Sequence, residues 1–212
     1  MEYPYMSLVV PSFVLVPIVM AIIRYKTLTQ ETKVVFYYLL VTAVAHVITI
    51  DMARRGIPNL VVFHFYTIVE TLFFLQFFFR LFSGSVMRKL IRVLMIAFTV
   101  FCLVNLIFFQ SIAFFNTYTR LIECIIFILL ICVYWWLDSV TEHSTGWATQ
   151  PVNWILSGIL LYFSSSFFLF IFTNFMFSRY SLAVNEMVWN IHATLVLIMY
   201  LLFATAFYQC RK

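Results

Sequence analysis

Phe63-His64-Phe65-Tyr66-Thr67-Ile68-Val69-Glu70 lies inside Leu60 to Phe82, a run apolar enough to cross a bilayer that nevertheless carries a histidine and a carboxylate. A charged group near the middle of a membrane is expensive unless it faces a bundle interior, a water-filled cavity or a partner, so such residues are candidates for function. With Glu70 at zero and about 100° per residue, Tyr66 falls at about −40°, Thr67 at about +60° and His64 at about +120°. One side of this helix is therefore polar. The other carries Val62, Phe65, Val69, Leu72 and Phe79, which suit lipid or a greasy neighbour.

Outward from this stretch the same character recurs. Hydrophobic residues make up 65% of the 212 and charged residues 10%, against about 25% charged in ordinary soluble domains. A helix needs about 20 apolar residues to cross the hydrocarbon. Seven such runs fit: Tyr5 to Arg24, Val34 to Asp51, Leu60 to Phe82, Leu90 to Phe109, Thr119 to Leu137, Val152 to Phe177 and Met187 to Tyr208. The expected fold is all-α: a polytopic membrane protein forming a single seven-transmembrane-helix bundle over residues 1–212. Pro11 and Pro17 predict a bend in the first helix, since each removes a backbone donor.

The net charge of +5 does not point to nucleic acid, because the basic residues flank apolar segments instead of forming a patch with stacking aromatics. Flanking Lys and Arg collect on the cytoplasmic side. The first and third connections plus the C-terminus hold nine of them, Arg24, Lys26, Lys33, Arg80, Arg88, Lys89, Arg92, Arg211 and Lys212. The opposite side holds four, Arg54, Arg55, Arg120 and Arg179. This places the N-terminus outside and the C-terminus in the cytoplasm. The connection from Asp138 to Pro151, with Glu142 and His143, is the longest polar one and a solvated loop. Cys102, Cys124, Cys132 and Cys210 show no CxxC and no external pair, so they read as small core residues.

Given that topology, His46, His64, Arg120, Glu123, Asn174, Glu186, Asn190 and His192 all fall in the outer half. Glu70 marks the floor about 16 Å in, at 1.5 Å per residue. Arg120 and Glu123 are three apart and can pair along one helix face. Asp51 can pair with Arg54 or Arg55, and Glu186, Asn190 and Thr194 repeat every four residues. Ser157, Gly158 and Ser164 to Ser166 let membrane helices approach closely. No internal repeat and no inner polar path supports a transporter. The expected site is a pocket open to the outer side, closed below by aromatic packing, with His46, His64, Tyr66, Thr67, Glu70, Arg120, Glu123, Asn174, Glu186, Trp189, Asn190 and His192 as ligand-binding candidates. Glu70, His64, Arg120 and His192 are expected to converge.

Zinc is the alternative occupant, held by His46, His64 and His192 with Glu70 or Glu186, because catalytic zinc takes three protein ligands and a water. A haem between two histidines is a further alternative. A retinal is disfavoured, since Lys26, Lys33, Lys89 and Lys212 all sit at membrane borders.

Phe63-His64-Phe65-Tyr66-Thr67 with Glu70, and Trp189-Asn190-Ile191-His192 in the last helix, resemble the corresponding pieces of small seven-helix membrane proteins of the Bacteroidota that accompany sensor histidine kinases. The resemblance implies a sensory role and a place in a bacterial cytoplasmic membrane. Seven-helix zinc hydrolases related to ceramidases and progestin receptors are similar in helix count, but their paired histidines on the final helix are missing here. The leading expectation is a non-enzymatic sensor or receptor-like module that binds a small molecule or lipid, without a cofactor, and signals through a partner such as a histidine kinase. A chain stopping at Gln209-Cys210-Arg211-Lys212, with no effector domain, fits that expectation. A zinc-dependent intramembrane lipid hydrolase and a structural subunit of a membrane complex are the alternatives.

Overall fold

The computed structural model describes residues 5–140 and 146–210; the side chains of Asn174 and Phe177 lie outside the described set, as do Glu142 and His143 of the polar connection. Among the described residues there are no strands, and seven helices are long and apolar enough to cross a membrane. We number them α1 (Tyr5–Ile23), α2 (Gln30–Arg54), α3 (Leu60–Leu81), α4 (Ser85–Phe108), α5 (Thr117–Val140), α6 (Pro151–Arg179) and α7 (Leu182–Gln209). Several run past the apolar segments that announce them. α2 begins at Gln30 and not Val34, and α7 at Leu182 and not Met187, because hydropathy marks the hydrocarbon while backbone hydrogen bonding carries the helix beyond it.

α1 is broken at residues 13–14, between a π-type opening turn and the regular helix Leu15–Ile23. Pro17 has no N–H to give the carbonyl of Phe13, which instead accepts from Val16 at 3.0 Å. The α2–α3 turn closes through Gly56, whose φ of +68° an L side chain rarely adopts. Beside it Asp51 and Arg55 form an exposed ion pair at 2.9 Å.

The apolar stripe of α3 is where the wheel places it. Phe65 is 52% exposed, while His64, Thr67, Glu70 and Thr71 are buried. The half of the bundle toward the C-terminal end of α3 is filled by aromatic rings. Phe74 and Phe78 of α3 meet Phe127 of α5 with centroids 5.5 and 6.0 Å apart, and Phe163 of α6 closes on Phe127 at 4.8 Å. Phe203 and Phe207 of α7 are fully buried in the same core. Lipid is as apolar as these rings, so close packing, not water exclusion, must hold them together. α6 and α7 make the broadest contact of the bundle. Gly158 allows it: a β-carbon there would lie 2.9 Å from Phe203 Cε1 and 3.3 Å from Met199 Cγ.

α3 and α5 run in the same direction but are offset in depth. The α4–α5 connection meets α3 at His64 and Thr67, not at its first residue, so α5 starts about 10 Å along α3 at 1.5 Å per residue. Irregular backbone at that depth is tolerated only when protein satisfies its polar groups. His64 Nε2 donates to Phe114 O at 3.0 Å, and Asn116 Nδ2 donates to Thr67 Oγ1 at 2.6 Å. Gln110 Nε2 donates to Phe115 O and Thr117 Oγ1, while its Oε1 accepts from Asn105 Nδ2 at 3.1 Å.

Candidate functional site

The α5 offset decides the site, because it brings the first turns of α5 level with the middle of α3. Arg120 Nη1 donates to Glu70 Oε2 and, at 2.7 Å, to Glu123 Oε2. On its other oxygen Glu70 accepts from Tyr38 OH of α2 at 2.7 Å, with Tyr66 OH at 3.3 Å. Tyr66 OH also lies 2.9 Å from Thr42 Oγ1. Glu123 Oε1 accepts from Thr71 Oγ1 at 2.5 Å. The side chains of Arg120, Glu70 and Glu123 are 6, 1 and 0% exposed, so water does not screen these charges. A single guanidinium thus ties two carboxylates on two helices, and Tyr38 adds a third helix.

α6 and α7 approach the cluster through rings. The Arg120 guanidinium lies over Phe170 of α6, 5.6 Å from its centroid. His192 of α7 packs on Phe170 at 6.0 Å, on Tyr162 at 5.5 Å and on Trp189 at 5.8 Å. Trp189 in turn stacks on Phe115 of the α4–α5 connection at 5.4 Å. His192 Nδ1 is buried with no hydrogen-bond partner among the described residues.

The twelve sequence candidates therefore separate. Glu70, Arg120, Glu123 and Tyr66 form the buried cluster, and His192 and Trp189 lie beside it behind Phe170. His64, expected to converge with them, is committed to the α4–α5 backbone, and Thr67 to the Asn116 side chain. His46 pairs its Nε2 with Tyr200 OH at 3.1 Å and lines a cavity of about 20 Å³ with Tyr66, room for one water. Glu186 and Asn190 lie with Ala183, Met187, Ile191 and Thr194 along a separate shallow groove of about 440 Å³, wide open and lined by one face of α7 alone. Asn174 lies outside the described side chains.

His46, His64 and His192 each engage different partners. Among the described residues no group of three or more His, Cys, Asp or Glu side chains is arranged to hold a metal ion.

The chain matches no family model, no curated protein and no solved structure. Function must accordingly be argued from the site itself.

Sequence reasoning missed Tyr38, Thr71, Gln110 and Asn116. Tyr38 was within reach: the stripe Thr49, His46, Thr42 on α2 continues one turn to position 38. Thr71 adjoins Glu70 but lies about 100° around the wheel, and only the position of α5 gives it a partner. Gln110 and Asn116 carried no signal, because their work is set by a depth offset that no single helix encodes.

Proposed function

We propose that the protein is a non-enzymatic, membrane-embedded sensor or receptor-like module that binds a small molecule or lipid from the outer side and signals through a partner such as a histidine kinase. The observation that carries this reading is the double engagement of the first turns of α7. One face presents Glu186, Asn190 and Thr194 to the open groove. The other packs Trp189 and His192 against Phe115, Tyr162 and Phe170, and Phe170 carries the Arg120 guanidinium. Asn190 lines the groove, and its buried Oδ1 is without a hydrogen-bond partner among the described residues. A ligand that binds better to one setting of α7 than to another shifts the population between them. Through Phe170 that shift reaches the charge cluster joining α2, α3 and α5.

The nine-to-four distribution of Lys and Arg supports an outer N-terminus. α7 then enters the membrane from outside, the groove faces outward and the C-terminus is cytoplasmic, in a bacterial cytoplasmic membrane. Native mass spectrometry of the protein released from its own membrane tests the reading. A bound lipid or small molecule is expected on the wild type and is lost from the double variant Glu186→Gln, Asn190→Ala. Equal occupancy on both proteins, or an external signal from a reporter fused after Lys212, removes the outer groove as the ligand site.

A further inference from the structure

We propose that Glu70, Arg120 and Glu123 form a binding site for one proton, carried on the Glu123 carboxyl group. The cluster contains two acids and one guanidinium, all closed to solvent. With both acids ionised it would keep one uncompensated negative charge inside the bundle, the arrangement that apolar surroundings penalise most. Among the described residues the packed helices supply no second cation. α2 and α3 present the hydroxyls of Tyr38 and Tyr66, and α6 and α7 those of Tyr162 and Tyr200. α4 and α5 present the thiols of Cys102 and Cys124, which are neutral when protonated.

Among the described residues His192 is the remaining titratable neighbour. It shares Phe170 with Arg120, and its buried Nδ1 has no partner among the described residues. Two cations side by side repel, so this ring stands as a neutral acceptor next to the cluster and does not supply the missing charge. The hydrogen bonds say where the proton rests. Glu70 meets donors at both oxygens, Tyr38 at one and Arg120 at the other, which is the environment of a carboxylate. Glu123 meets Arg120 only at Oε2, and its Oε1 faces the Thr71 hydroxyl at 2.5 Å, a group able to accept as well as donate. The proton is held on Glu123 Oε1, whose O–H then donates to Thr71. It is taken from and returned to bulk water, and binding changes the cluster from −1 to zero. Because the same groups join α2, α3 and α5, proton occupancy and the packing of those helices are linked. This holds whether or not the α7 groove binds a ligand.

Infrared spectroscopy of the protein in lipid nanodiscs at neutral pH tests it. The wild type is expected to show a carboxylic-acid C=O band that shifts in D₂O. Glu123→Gln and Glu70→Gln should each abolish it, since either change leaves one acid matched to Arg120. Asp51→Asn, at the exposed pair, should leave it intact. If one cluster variant does not fold, the other decides. Alkaline titration of the wild type should remove the band and lower the thermal midpoint together. A wild-type spectrum identical to Glu123→Gln overturns the proposal. So does a band removed by sodium at constant pH, which would make the ligand a metal cation.

Discussion

Replacing Arg120 by leucine removes the one cation from a cluster in which Glu70 and Glu123 are almost completely buried. Two charge-assisted hydrogen bonds disappear, each with a net contribution of about 1.5–3 kcal/mol. Solvent cannot take over either carboxyl group, and breaking a buried ion pair from one side typically costs about 3–5 kcal/mol. Leucine recovers some packing against Phe170, so we expect a loss of about 3–5 kcal/mol overall. The triple variant Arg120→Leu, Glu70→Gln, Glu123→Gln has no charge left to strand. It should regain most of the loss, as neutral replacements of buried ion pairs are often tolerated. Unfolding in mixed micelles with a denaturing detergent, followed by tryptophan fluorescence, reads both differences. If Arg120→Leu falls within about 1 kcal/mol of the wild type, no more than an average substitution, the cluster is not an energetic tie between α3 and α5 and the reasoning fails.

Three other substitutions, one of them a control, probe the packing that positions the cluster. Gly158→Ala puts a β-carbon 2.9 Å from Phe203 Cε1, and overpacking of this kind should cost about 1–3 kcal/mol. Gly84→Ala meets nothing within 4 Å and should change unfolding by less than about 0.5 kcal/mol. Gln110→Ala strands Asn105 Nδ2 and removes one of the two donors to Phe115 O, which keeps Thr117 N, with an expected loss of about 1–3 kcal/mol. Hydrogen exchange should then accelerate over residues 110–118 while the center of α3 stays protected.

What the sequence determined by itself follows from period and polarity. Composition placed the chain in a membrane. Apolar run length marked seven helices, and the 3.6-residue repeat assigned His64, Thr67 and Glu70 to the covered side of α3 and Phe65 to the exposed one. The i,i+3 spacing foretold that Arg120 and Glu123 would pair. These are properties of one helix, and a helix carries its own geometry wherever it packs. The tertiary structure alone decided how the helices stand against one another in depth and rotation. The sinking of α5 by about 10 Å, at 1.5 Å per residue, gives Glu70 its guanidinium and Thr71 its carboxylate, and it turns His64 to the α4–α5 backbone. Such offsets are fixed by how Phe127 and Phe163 interlock across helices and how closely Gly158 lets α7 approach, and no periodicity along a single segment records them.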